Sequence, residues 1–417
     1  MSGPVMHPIM RGFIRTAVFA AGLSATAALA QHPQDYEAIE RGRALVTAGD
    51  CVACHTPIGS DKPFSGGRAI ETPFGNILSP NITPDRATGI GAWSDEEFVR
   101  AMQKGVGREG EHLFPAFPYT AYTKVTRDDL LAMRTYLKTL EPVSNAVEPN
   151  QLPFPFNMRF LQFFWKTLFF TPGEYKPDPE KTAEWNRGAY LVEGLGHCAS
   201  CHTGKNLLGG DKSAAFQGGA LQNWFAPNLT ADERVGIGAW SQDELVEYLK
   251  TGHTARSAAS GPMSEVVEFQ TSQMSDGDLK AMAIYLKDMA AAPNKAPTPL
   301  SPDTAAMKAG AALYMDNCQA CHMSKGEGVE KLFPRLAGSA VVQSDDPATL
   351  LRMVLQGARS VATDAAPTGP AMPAFDWKLT DAQIAAVITY VRNSWGNAAG
   401  GIDAGRVAKM REPLAKE

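Results

Sequence analysis

The pattern Cys-x-x-Cys-His occurs three times in this chain and consumes all six of its cysteines. The copies are Cys51-Val52-Ala53-Cys54-His55, Cys198-Ala199-Ser200-Cys201-His202 and Cys318-Gln319-Ala320-Cys321-His322. Random placement of the Cys and His residues predicts on the order of 10⁻³ such matches, so three are not chance. Two thiols with two residues between them are spaced to add across the two vinyl groups of a porphyrin. The histidine that follows then reaches the iron from the same face. Structural zinc wants four Cys or His ligands per site, and His197 and His253 lie outside such a spacing. Thioredoxin-like pairs lack the following histidine and need a βαβ context. The pattern therefore implies three covalently bound haem c groups, held by Cys51, Cys54, Cys198, Cys201, Cys318 and Cys321, with His55, His202 and His322 as proximal ligands.

The repeat extends beyond the cysteines. A short helical pattern precedes each copy: Arg41-Gly42-Arg43-Ala44-Leu45, Arg187-Gly188-Ala189-Tyr190-Leu191 and Ala309-Gly310-Ala311-Ala312-Leu313. Pro80-Asn81-Ile82-Thr83 answers Pro227-Asn228-Leu229-Thr230, and Gly89-Ile90-Gly91-Ala92-Trp93-Ser94 answers Gly236-Ile237-Gly238-Ala239-Trp240-Ser241. Copies so far apart are duplicated domains rather than solenoid repeats of about 20–50 residues. Helix starts are marked by Ser or Thr followed three residues later by an acid or Gln: Ser94, Thr126, Ser241, Ser275 and Thr380. No alternating strand pair with a hairpin turn stands out. The expected fold is all-α, three tandem domains joined by Pro-rich linkers. They are placed at 31–145, 180–292 and 303–398, with linkers at 146–179 and 293–302 and a polar tail at 399–417.

Residues 1–30 read as a secretory signal peptide. Arg11 and Arg15 precede an apolar run, and Ala28-Leu29-Ala30 offers a small-x-small cleavage site. Export places the chain in an oxidising compartment. A formal charge of −5 disfavours nucleic acid as a partner. No apolar stretch is long enough to leave a membrane span in the mature chain.

A thioether on the open side of the iron closes its coordination and raises its potential. Met372, in Gly369-Pro370-Ala371-Met372-Pro373, and Met263, in Ser260-Gly261-Pro262-Met263, are the expected distal ligands of the third and second sites. Met274, Met102, Met133, Met282 and Met353 read as packing side chains. The first unit departs: Leu113-Phe114-Pro115-Ala116-Phe117-Pro118 puts Phe117 in the ligand slot, and phenylalanine cannot coordinate iron. His112, Met102 or Met133 would have to replace it, or the site is five-coordinate.

Three such units in one exported chain resemble the triple-haem cytochrome c subunit of bacterial periplasmic dehydrogenases of the alcohol, aldehyde, gluconate, sorbitol and fructose type. The resemblance rests on Ala183-Glu184-Trp185-Asn186-Arg187-Gly188-Ala189-Tyr190-Leu191-Val192, on Ala258-Ala259-Ser260-Gly261-Pro262-Met263, and on Ala358-Arg359-Ser360-Val361-Ala362-Thr363 leading to Pro370-Ala371-Met372-Pro373. It implies an electron-transfer subunit with cytochrome c-like domains and no substrate chemistry of its own. Electrons would come from a catalytic subunit of flavin, PQQ or molybdenum type and go to ubiquinone or a terminal oxidase. It also implies a periplasmic location at the outer face of the inner membrane. The alternatives are a self-contained, peroxidase-like haem enzyme working at an open first haem, and a free periplasmic electron carrier.

Several members of that family hold to the membrane through a carboxy-terminal amphipathic stretch, but residues 402–417 here are short and polar. Residues 153–170 are the stronger candidate for peripheral association, since eight of these 18 are aromatic. As a helix they place Phe160, Phe164, Trp165 and Leu168 on one face and Arg159, Gln162 and Lys166 on the other. The competing expectation, which we favour from sequence, is an interdomain strap that buries those rings.

Overall fold

The computed structural model describes residues 1–3, 33–291 and 294–415. The signal peptide read at 1–30 thus lies almost wholly outside the described residues. The part from Ala38 to Glu417 forms one compact unit. Of Met1–Glu37, only residues 1–3 and the start of the first helix are described.

The chain is predominantly helical. Helix α1 (Pro33–Ala48) leads into α2 (Cys51–His55), a hairpin of β1 (Ala69–Thr72) and β2 (Gly75–Leu78), then α3 (Asp95–Lys104), α4 (Tyr119–Tyr122) and α5 (Arg127–Leu137). After α6 (Leu161–Phe169), the plan returns with α7 (Ala183–Tyr190), which continues as a π-turn over Leu191–Leu195. It goes on through α8 (Ala199–His202), β3 (Gly219–Leu221), β4 (Trp224–Ala226), α9 (Gln242–Thr251), α10 (Pro262–Phe269) and α11 (Asp276–Asp288). The last third holds α12 (Ala305–Asn317), α13 (Gln319–His322), α14 (Ala340–Gln343), α15 (Ala348–Gln356), β5 (Ala358–Arg359), β6 (Ala371–Met372), α16 (Asp381–Arg392) and α17 (Ala404–Leu414).

One helix crossing recurs three times. Gly42, Gly188 and Gly310 lie where α1, α7 and α12 cross α5, α11 and α16. A Cβ on any of them would come well under 3.0 Å from the carbonyl of Ala132, Ala281 or Ala386 respectively. The helices approach this closely only because glycine has no side chain. Each crossing also carries a tyrosine one turn on: Tyr136, Tyr285 and Tyr390. Arg41 and Arg187, the residues before the first two glycines, pair with Asp129 at 2.5 Å and Asp278 at 2.7 Å. The first two repeats share one continuous core that joins Leu45, Leu130 and Met133 to Leu191, Leu279 and Leu286. The third has its own around Tyr314, Leu351, Ile384 and Ile388.

All five expected helix starts cap as read. The side chains of Ser94, Thr126, Ser241, Ser275 and Thr380 accept from the third backbone N–H of their helices. Ser94, Ser241 and Thr380 complete the reciprocal box. Asp129 does not return to Thr126, because Arg41 and Tyr190 Oη claim its carboxylate.

Three expectations are corrected. The fold is not purely helical: each repeat holds a two-stranded antiparallel hairpin. In β3–β4 the two-residue turn is Gln222-Asn223, at φ 45 and 61. Two successive positive φ values are the hairpin-turn geometry, without the Asn-Gly signal that announces it. The residues expected as a polar tail carry α17, which buries Val407 and Leu414 against the third core. Finally, α6 is not a strap that buries its rings. Phe160, Phe164 and Leu168 are 58%, 58% and 68% exposed. Lys166, expected on the solvent side, turns inward: its Nζ donates to Lys104 O at 2.8 Å and Gly105 O at 2.6 Å. The ammonium serves the free carbonyls that end α3, and this pins α6 with its apolar side outward.

Candidate haem-binding sites

Each Cys-x-x-Cys-His segment winds through one short helical turn. His202 N donates to Cys198 O at 3.0 Å and His322 N to Cys318 O at 2.9 Å. This winding turns the second cysteine and the histidine toward the side of the first cysteine. None of the six cysteines is paired in a disulfide. Desolvation raises the thiols of Cys51, Cys198 and Cys318, Cys198 to about 12 and Cys318 to about 11. A raised thiol is held toward its protonated form, the opposite of an activated thiolate.

The three histidines share one arrangement. Nδ1 of His55 meets Pro80 O at 2.7 Å, that of His202 meets Pro227 O at 2.6 Å, and that of His322 meets Pro334 O at 3.0 Å. A carbonyl can only accept, so Nδ1 carries the proton and Nε2 keeps its lone pair for a metal. Desolvation lowers the pKa of all three, and the proline carbonyls oppose it. The Pro-Asn-x-Thr repeat thus gains a role: its proline carbonyl orients the histidine 25 residues upstream in both copies. Asn81 and Asn228 then hold the turn by accepting from the backbone N–H of Thr83 at 2.9 Å and Thr230 at 2.6 Å. The third repeat lacks that block and uses Pro334, 12 residues on. These residues fit a c-type haem at each site: a thiol pair, an oriented neutral imidazole and, in two of the three, a methionine loop.

Met263 lies in the first turn of α10, half-buried against the first core and against Ala259, Val267 and Val361. Met372 forms β6 beside Ala358 and packs on the third core. Met274, Met102, Met133 and Met282 are buried, as expected of packing side chains. Met353 is only half-buried, and its sulfur lies 3.9 Å from Ser260 Oγ in the Met263 loop.

Phe117 and Met263 occupy matching places. The capping glycines of α3 and α9 accept from Leu113 N at 2.8 Å and Ala259 N at 2.7 Å. Phe117 and Met263 each follow four residues later. Phe117 packs on the core, with ring centroids 5.5 Å from Tyr122 and 6.5 Å from Tyr119. His112 is tied elsewhere: its Nδ1 is 3.1 Å from Lys166 Nζ.

Two histidines set aside by spacing join the repeats. His253 Nε2 lies 2.7 Å from Val361 O in the loop before Met372. His197 reaches from the second repeat to Tyr122 in the first, ring centroids 5.7 Å apart. Nothing in their local sequence marks either role.

Comparison with known proteins places these repeats. The cytochrome c family model matches residues 39–141 and 307–395, and that of cbb3-type cytochrome c oxidase subunit III matches 183–286. The chain is 42% identical to a nicotinate dehydrogenase subunit of Pseudomonas putida over 85% of its own length, but spans only 30% of that protein. It is 37% identical to the gluconate 2-dehydrogenase cytochrome c subunit of Pantoea cypripedii, covering 94% of this chain and 93% of the relative. Against the cytochrome c subunit of the quinone alcohol dehydrogenase of Gluconobacter oxydans the identity is 38%, with coverages of 94% and 86%.

Proposed function

The chain belongs to the family of cytochrome c subunits of bacterial dehydrogenases, and from that premise we propose that it is a three-haem relay built of three cytochrome c domains. It takes electrons from a catalytic dehydrogenase subunit and passes them to ubiquinone or a terminal oxidase. The observation that carries this reading is the threefold recurrence of an Nδ1–proline carbonyl bond on the histidine of a Cys-x-x-Cys-His turn. Haem, when bound, supplies an iron that gains or loses one electron.

In this reading Cys51 and Cys54, Cys198 and Cys201, and Cys318 and Cys321 form the thioether bonds. His55, His202 and His322 ligate through Nε2, each held in its tautomer by a proline carbonyl. Met263 and Met372 close the second and third sites, while Phe117 leaves the first without a sulfur ligand. Contacts between repeats support a relay in chain order. The first and second meet through Arg68 and Glu265 at 2.7 Å and through Tyr190 Oη and Asp129 at 2.6 Å. The second and third meet through Thr349 Oγ1 on Phe225 O at 2.9 Å and Arg352 stacked 4.8 Å from the Trp224 ring.

The chain works in the periplasm, at the outer face of the inner membrane. No helix among the described residues is long and apolar enough to cross a membrane. Peripheral contact falls to the exposed side of α6, extended by Leu207 and Leu208, because Trp165 Nε1 ties α6 to Leu208 O at 2.8 Å. A short helix with an outward aromatic face suits the headgroup boundary.

The test is the intact mass of chain made in a host competent for cytochrome maturation, together with its reduction by substrate. We expect three haem masses, and reduction by an alcohol, sugar acid or heteroaromatic substrate only when a dehydrogenase subunit is added. Fewer haems, or substrate reduction by the pure chain, overturns the proposal.

A further inference from the structure

We propose that His197 and Gln270 are positioning residues that lock the first two haem sites at a fixed separation and make them a strongly coupled pair. The proposal rests on the three-haem reading above and adds how two of those sites are held.

The argument starts at the end of α1. The last carbonyls of a helix have no donor within it and need donors from elsewhere. Gln270 Nε2 donates to Ala48 O at 2.5 Å, and Tyr122 Oη donates to Gly49 O at 2.7 Å. One of these two donors therefore comes from the second repeat, although the helix belongs to the first.

Both ends of this clamp touch a haem attachment point. Gly49 stands two residues before Cys51, and a Cβ on it would lie 3.4 Å from Cys51 Sγ. His197 is bonded directly to Cys198. A Cβ on Gly196 would lie 3.4 Å from Cys198 Sγ and 3.7 Å from Gln270 Nε2. Gln270 thus flanks the second attachment site while it caps the helix that leads into the first. The His197 ring stands edge-on to Tyr122, centroids 5.7 Å apart at 83°.

The backbone is bent to make this possible. His197 sits at φ 39, and Asp50, its counterpart before Cys51, at φ 51. Non-glycine residues hold such values only where surrounding contacts compensate. Asp50 is itself buried, with no hydrogen-bond partner on its Oδ1.

The step served is the passage of one electron. With haem bound at both sites, one iron would be oxidised as the other is reduced, with no proton moved and no bond made. Its rate falls steeply with separation, so a clamp between the attachment loops sets it.

The experiment uses the full-length holoprotein. In this reading the first site, with Phe117 in place of a sulfur ligand, differs in colour from the second, so redistribution of a photoinjected electron between those two can be followed. We expect Gln270→Leu with His197→Ala to keep three haems by mass, to slow that redistribution roughly tenfold, and to leave the reduction potential of the third site unchanged. Reduction potentials of the first two sites should move with it. His197→Phe, which keeps a ring against Tyr122, should restore most of what the loss of His197 costs. Gln270→Leu alone, close in volume, should show the same loss in part and serves if the double variant does not accumulate. Wild-type rates and potentials in these variants overturn the proposal. A wild-type protein with no redistribution at all would instead overturn the relay reading.

Discussion

The carbonyl of Ala281 faces Gly188 so closely that a Cβ on the glycine would stand well under 3.0 Å from it. Both groups belong to helices, so neither can shift without moving a whole element. Gly188→Ala is therefore expected to destabilise the protein by about 3 kcal/mol, the upper range for overpacking a well-filled core. Gly277, in the first turn of α11, has only Ser275 Oγ near its absent Cβ, at 3.9 Å. The same change there should stabilise by about 0.5–1 kcal/mol, through lost freedom of the unfolded chain. Urea midpoints of the two variants should move in opposite directions. A shared direction would refute the crossing argument.

The same glycines show what could be read before the structure. The haem motifs, the helical class, the five capped helix starts and the methionine loops follow from short-range chemistry, which a sequence displays directly. Gly42, Gly188 and Gly310 were visible as a repeat, but their meaning depends on Ala132, Ala281 and Ala386, some 75–95 residues away in this chain. The hairpin at Gln222-Asn223 escaped because its positive φ values fall on residues other than glycine. The orientation of α6 escaped because Lys166 satisfies α3 rather than water. His197 and His253 act across repeats, and no local pattern announces a residue whose partner lies in a distant segment.

Phe117 occupies the place that Met263 holds one repeat later. Phe117→Met should supply the missing thioether, and the side chain is flexible enough to reach an iron from that loop. The expected outcome is a third methionine-ligated, low-spin signature in the ferric spectrum and a raised potential at the first site. In the wild type, cyanide or carbon monoxide should bind to one haem in three. Binding to none would mean that another side chain already ligates, and would remove the peroxidase-like alternative as well.

The exposed side of α6 gives a membrane prediction. Phe160, Phe164 and Leu168 are more than half exposed, and the ring contacts of Phe164 are with Phe160 and Phe163, themselves exposed, so changing all three to Ser should shift stability by no more than about 0.5 kcal/mol each. Burying each in a lipid interface is worth roughly 1.5–3 kcal/mol, so the triple variant should lose well over tenfold in vesicle affinity. Flotation of the holoprotein with vesicles containing anionic lipid is the measurement. Removing α17 should leave flotation intact and instead destabilise the third core, since Val407 and Leu414 are buried in it. Equal flotation of wild type and triple variant would rule α6 out.

Desolvation pulls the His197 pKa down from 6.5 to about 4. The sign follows from which state binds the proton first. Below pH 6.5 the unfolded chain protonates this histidine, while the native protein does not until about pH 4. The native state therefore loses stability relative to the unfolded one as pH falls through that window, and the loss levels off beneath it. At about 1.4 kcal/mol for each tenfold change in proton affinity, the full effect reaches at most about 3.5 kcal/mol, less what residual solvent access screens. His197→Gln keeps a donor but cannot titrate, so its stability should lack this part of the slope. Urea unfolding of both proteins at steps from pH 7 to pH 4 separates the effect from that of His55, His202 and His322, which both contain. The wild type should lose ground to the variant on going down through the window. A difference that stays constant with pH would mean that His197 is protonated as readily in the folded protein as out of it.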